Sequence, residues 1–404
     1  MVRLAILSVA LAVATMEIAM SFVQGFENEI QNKVAGFGAH ILVTNYSQEI
    51  RSDLIPLEYK QEEVDRMLAI PEVESVAPFI DHTALMVSRE YWDGIQLKGV
   101  DSTYHWDFLE QALIDGRIPD YTDSLPSKEI VISRKVARKL DMKLGDKPKL
   151  IILLGNDVTQ KRAEVVGIYE TGLEEFDNTI AISDLRLLRD LWGWETNEIA
   201  GYEVNTKTLD RKYDWYWDWS SWPFVHQDSL TSLDYTTLDV SAASPDFLAT
   251  PVTISFVDIF DWLYLQHQNV WFILGLMMVV AIINMTTVIL IIIIERTRTV
   301  GILKSMGMQG TKIRRMFVLY ALLMILVGVL IGNALGLGLL WTQHEFEWLK
   351  VNQEDYFITN VPVSWVWNKF LVVNISVILL CTLSMYVPSI LVQRISPVRA
   401  IRFD

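Results

Sequence analysis

Four stretches of this chain are long and apolar enough to be membrane spans. Residues 4–23, 271–294, 316–341 and 366–387 are almost uninterrupted apolar runs. Each is near or above the ~20 residues that a helix needs to cross a hydrocarbon core. Inside a bilayer such a run satisfies its own backbone polar groups only as a helix, so everything else in the chain is arranged around four helices. Residues 24–269, between the first span and the second, alternate polar and apolar and are enough for one or two folded units.

The first run has a second reading. Arg3 precedes it and Ala12-Val-Ala14 offers a small-residue cleavage site, as in a secretory leader. Apolar sequence continues past that site to Val23, and this favours a span. Glu17 lies two-thirds of the way along the run. A carboxylate there either faces the interior of a helix bundle, where it marks a functional path, or reaches the outer headgroups and water.

Charge gives the chain a direction across the membrane. Residues 24–269 hold 22 basic and 42 acidic residues, a net of −20, whereas the whole chain carries −15. The basic excess sits beside the spans, in the short 296–315 loop and at Arg394, Arg399 and Arg402. Short Lys- and Arg-rich loops stay in the cytoplasm, which places both termini inside and the acidic domain outside. The acidity also argues against nucleic acid as a partner. The one cysteine, Cys381, falls in the fourth run, so no disulfide forms within the chain and the outer domain depends on its core.

In chain order, residues 24–39 read as a polar helix leaving the membrane and 40–44 as a strand. A helix over 57–69 and a strand near 84–87 follow, together a βαβ-type unit. Residues 131–140 switch from strand to helix, Gly145-Asp146 turns into a strand over 149–154, and 184–191 is a short helix. In 211–222, Trp215, Trp217 and Trp219 alternate, which in a strand lines one face. That face is either core or an exposed patch for an acyl chain or a partner protein. Asn284 in the second span can hydrogen-bond across helices, and Gly328, Gly332 and Gly336 let another helix approach the third span closely.

The 296–315 loop is the most specific feature. Six cations crowd it (Arg296, Arg298, Lys304, Lys312, Arg314 and Arg315) directly after Glu295. Residues 296–306 contain no Pro, and Val300, Leu303 and Met306 recur at helical spacing with Gly307 placed as a stop. This predicts a short amphipathic helix over 296–307 lying under the membrane. The bland alternative is a basic hairpin that only anchors topology.

Glu295-Arg-Thr-Arg-Thr-Val-Gly-Ile-Leu-Lys-Ser-Met-Gly307 closely resembles the segment that permeases of the FtsX/MacB superfamily place between their second and third spans. There it is the coupling helix, which presses on a separate ATP-hydrolysing subunit. The resemblance assigns ATPase coupling to Glu295, Arg296, Arg298, Val300, Leu303, Lys304, Met306 and Gly307. It extends over the succession of short strands in 95–179, the stalk phrase 256–270 and the tail 395–404, which resembles the family's Pro-x-x-Ala-Leu-Arg ending with Arg399 where an acid is frequent. The superfamily normally carries a cytoplasmic segment ahead of the first span, which here implies a shortened start or a helix that begins at the inner surface.

The resemblance implies an α+β membrane protein: a first span (1–23), a MacB-like extracytoplasmic α/β core domain with stalk (24–269) and an FtsX-like permease domain (270–404). It further implies a non-catalytic subunit of a mechanotransmission-type ABC transporter in the inner membrane, with ATP-Mg on the partner ATPase and none bound here. A second permease subunit, identical or not, completes it. Among such permeases the large outer domain and stalk favour the lipoprotein-releasing type, which lifts acylated lipoproteins from membrane lipid to a periplasmic carrier. The alternatives are a MacB-like efflux permease and an FtsX-like switch for a cell-wall hydrolase. The residues agree on catalysis: no P-loop, His-Glu-x-x-His, Cys-x-x-Cys or Gly-x-Ser-x-Gly occurs, and the six histidines are scattered without ligand spacing.

Overall fold

The computed structural model describes residues 2–46, 55–122, 125–154, 157–207, 232–352, 358 and 360–390. The chain forms two compact units. One is drawn from Met1–Glu29, Asp261–Val351 and Thr359–Asp404, the other from Ile30–Phe260 and Asn352–Ile358.

The first unit holds the spans. Helix α1 (Val2–Gly38) carries the first apolar run and continues through the polar residues that follow it. Its extramembrane part is helical as the sequence predicts. Among the described residues four helices are long and apolar enough to cross a membrane, α1 among them, and the other three lie late in the sequence. Their apolar faces meet in one cluster that includes Val9, Val13, Met285, Ile289, Ile325 and Cys381. Trp365 and Trp367 stack at 5.8 Å beside the last of these helices, and Trp341 and Trp348 are exposed. Tryptophans of this kind form the aromatic belt of a membrane interface.

The second unit is a mixed sheet with short helices on it. Its strands are β1 (Ile41–Thr44), β2 (Leu57–Glu58), β3 (Val73–Ser88), β4 (Tyr91–Val100), β5 (Leu113–Gly116), β6 (Glu129–Ser133), β7 (Lys149–Leu154), β8 (Asp157–Arg162), β9 (Glu164–Tyr169), β10 (Ile180–Asp184), β11 (Glu198–Ile199), β12 (Gly201–Thr206) and β13 (Leu248–Pro251). The helices between them are α2 (Gln61–Leu68), α3 (Asp107–Ala112), α4 (Arg134–Lys139), α5 (Glu174–Thr179), α6 (Leu185–Trp192), α7 (Ser232–Ala243) and α8 (Val252–Ser255). The sheet runs β13-β1-β12-β3-β4-β10-β6-β9-β5, with the β7–β8 hairpin joined to β3.

The βαβ expectation is realised in split form. Strand β12 lies between β1 and β3 and is antiparallel to both, so β1 and β3 run parallel without touching. Two boundaries differ from the sequence reading. Leu57 pairs with Ile199 in the β2–β11 ladder and is buried there, so helix α2 starts only at Gln61. Strand β3 reaches back to Val73 through Pro78, which reads as punctuation in sequence but sits opposite Tyr202.

Helices α4 and α6 cover a core of Ile80, Ile95, Leu97, Ile130, Ile132, Leu140 and Leu188. Each such side chain, fully buried, contributes about 1.5–3 kcal/mol. Gly99 permits the close approach of α6, since a Cβ there would lie 2.6 Å from Leu188 Cδ1.

The C-terminal end of α1 is bound into this unit by aromatic and ionic contacts. Phe37 stacks on Phe176 at 4.7 Å and touches Tyr169 at 5.7 Å. Lys98 Nζ donates to the Phe37 carbonyl at 2.7 Å and pairs with Glu203 Oε1 at 2.6 Å, both side chains being buried. Burial disfavours the ammonium, but the Glu203 carboxylate beside it holds Lys98 charged, well above the ordinary lysine range. A charged lysine thus caps a helix terminus, where backbone carbonyls lack partners.

Candidate functional site

The second span is helix α9 (Val257–Glu295), which also carries the stalk phrase. It passes into helix α10 (Thr297–Ser305) with only a local break at Arg296. The ladder crosses that break, because Arg296 N–H donates to Ile292 and Val300 N–H donates to the Arg296 carbonyl, both at 3.0 Å. Helix α10 ends where the sequence predicts. Gly307 N–H bonds the Lys304 carbonyl and Met308 N–H bonds the Leu303 carbonyl, with Gly307 at φ 87°. That is a Schellman cap, and its left-handed residue is suited to glycine. The chain then enters α11 (Gly310–Phe346), the third span, and later α12 (Trp367–Ser384), the fourth.

The two faces of α10 differ from the simple periodic reading. Val300, 1% exposed, and Leu303 pack on the span cluster. Met306, expected on the same stripe, is 79% exposed and Ile302 is 45% exposed. The reason is geometric: at 3.6 residues per turn Met306 lies about 120° round the helix from Val300 but one turn from Ile302, so it shares the outer face. Arg296, Arg298, Thr299 and Ser305 are exposed beside Ile302 and Met306, while Lys304 is half-buried. An inner face anchored in the spans and an outer face of two apolar side chains among cations suits an apolar groove with an acidic rim.

Inside the bundle, Glu17 is 0% exposed. It therefore faces the interior and does not reach the headgroups. Asn374 Nδ2 donates to Glu17 Oε1 at 3.1 Å, and Asn333 Nδ2 donates to Asn374 Oδ1 at 2.8 Å. The three side chains join α1, α12 and α11. The two asparagines were missed in sequence, although a polar amide inside an apolar run is itself a signal of an interhelical bond. The glycine stripe of α11 lies along α1. A Cβ at Gly332 would be 2.7 Å from the Ala10 carbonyl oxygen, and one at Gly336 would be 2.6 Å from Glu17 Oε2. Asn284 instead lies on an exposed face of α9.

Trp215, Trp217 and Trp219 lie outside the described residues, as do Arg394, Arg399 and Arg402 of the tail. Among the described residues no group of three or more His, Cys, Asp or Glu could hold a metal ion.

Known proteins match along nearly the whole chain. The family profile of the MacB-like periplasmic core domain matches residues 3–209, and that of the FtsX-like permease C-terminal region matches 271–397. A curated relative from Xylella fastidiosa, the lipoprotein-releasing system transmembrane protein LolC, is 21% identical over 99% of this chain and 93% of its own length. The LolE protein of Haemophilus influenzae is 21% identical over 98% of this chain and 92% of its own. The periplasmic region of MacB from Actinobacillus actinomycetemcomitans overlays with a TM-score of 0.36 at 13% identity, covering 54% of this chain and 91% of that one.

Proposed function

Because the chain belongs to the permease family with a MacB-like periplasmic core domain, we propose that it is the transmembrane subunit of a mechanotransmission-type ABC transporter that releases lipoproteins to a periplasmic carrier. The near-full-length match to relatives named for lipoprotein release favours this reading over efflux or cell-wall signalling. The protein is a multi-pass membrane protein with four spans. We place its termini and α10 in the cytoplasm and its α/β unit in the periplasm, on the positions of the basic loop and the acidic domain.

The observation that carries the proposal is the two-faced α10. Val300 and Leu303 fasten it to the spans while Ile302 and Met306 face outward between cations. A separate ATPase, holding ATP-Mg, closes as a pair and pushes on this outer face. The stroke passes into α9 and α11 through the buried face. The chain contributes no chemistry to hydrolysis; it receives force and delivers it to the outer domain, where substrate is lifted from membrane lipid.

The test is co-purification with an ABC-type ATPase subunit, and release of a lipoprotein from proteoliposomes. Charge reversal at Arg296 and Arg298, or Leu303→Pro, should leave the chain in the membrane but abolish release and ATPase association. Undiminished association and release in these variants would refute the assignment of α10.

A further inference from the structure

We infer that the groove between α11 and α12 holds one acyl chain of an anionic phospholipid, whose phosphate is bound by Arg314. The groove encloses about 510 Å³ and its lining includes Val318, Leu322, Ile375, Leu379, Leu383 and Tyr386. From Ile375 to Tyr386 the helical rise spans ~16 Å, about half of a ~30 Å hydrocarbon core. That length matches one leaflet's acyl chain. A span of a second subunit would need a seat along the full thickness.

The end of the groove is basic. Arg314 lies one turn before Val318 and so shares its face. Its guanidinium sits 4.2 Å from the Tyr386 ring centroid, and Nη2 donates to the Tyr386 hydroxyl at 2.9 Å. Tyr386 therefore serves both parts of the site, closing the apolar wall and aiming the cation. Guanidinium has five N–H donors in a fork that fits phosphate. Among the described residues Arg314, Lys312 and Arg315 have no carboxylate within ion-pair distance. One turn from Tyr386, Thr382 also lines the groove. Basic pockets between spans recognise anionic headgroups. A zwitterionic lipid fills the same groove with less gain at Arg314, and free phosphate leaves the groove empty.

The inference rests on α11 and α12 crossing a bilayer and is independent of the transported substrate. The full chain, purified in detergent and stripped of lipid, is given phosphatidylglycerol, phosphatidylcholine or glycerophosphoglycerol, which has the headgroup without acyl chains. Native mass spectrometry reads retention and thermal unfolding reads stabilisation. Phosphatidylglycerol should be retained roughly tenfold better than phosphatidylcholine, as one charge-assisted contact implies, and the headgroup alone should do nothing. Arg314→Gln should erase the preference, and Leu379→Trp should lower retention of both lipids. Equal retention of the two lipids by the unaltered protein overturns the inference, as does stabilisation by glycerophosphoglycerol alone or an undiminished preference in Arg314→Gln.

Discussion

Lys98 is the residue on which the end of α1 depends most. It neutralises Glu203 and bonds the Phe37 carbonyl, and its side chain lies between the rings of Phe37 and Tyr104, 5.4 and 4.9 Å from their centroids. Removing one member of a buried ion pair leaves the other uncompensated, at a cost of about 3–5 kcal/mol. Lys98→Met should therefore lower the unfolding temperature of the full chain sharply. Lys98→Met combined with Glu203→Leu should recover most of that loss, keeping only the deficit of the missing cap, about 1–3 kcal/mol. A double variant as unstable as the single one would show that the pair is not the source. Neither residue stood out in sequence. Lys98 sits in a strand of alternating residues and Glu203 lies in a strand more than a hundred positions later, so nothing local announces that they meet.

At the scale of elements, the α1–α11 contact is governed by size. A side chain at Gly332 would press on backbone and on Val13, and overpacking of this kind costs about 1–3 kcal/mol. Gly338, two residues past the stripe, has nothing within 4 Å of an added Cβ. Gly332→Ala should therefore destabilise the protein in detergent, whereas Gly338→Ala should stabilise it by up to about 1 kcal/mol through helix propensity. Equal effects at the two sites would remove the packing argument. The elements that were legible in sequence are those specified locally: apolar run lengths for the spans, Gly307 for the stop of α10, and Gly145, at φ 83°, for the turn before β7. The readings that missed depended on distant partners. Helix α2 gave up Leu57 to a strand near residue 199, and the βαβ unit was split by β12, whose sequence lies far downstream. Met306 was misplaced because two successive steps of three residues from Val300 drift about 120° round the helix, which carries it onto the face of Ile302.

For the molecule as a whole, Asn284 makes the strongest demand for company. It stands mid-span on an exposed face of α9 and makes no hydrogen bond among the described residues. Amides inside membrane helices seek partners on neighbouring helices, typically for about 0.6–2 kcal/mol each. On the proposed transporter reading, in which two ATPases close as a pair, a second permease subunit is the neighbour this face would meet. Asn284→Leu should weaken pairing of permease subunits, measured by crosslinking in native membranes, without lowering the amount of chain inserted. Unchanged pairing would assign that face to lipid.

The solitary thiol of Cys381 is 0% exposed in the span cluster, and no other cysteine occurs in the chain. A maleimide dye therefore finds almost no background target on the folded protein. Reporter cysteines introduced at Thr299 and at the surface of the α/β unit can be labelled without first stripping the native one, so distance changes during nucleotide turnover become readable in an otherwise unaltered molecule.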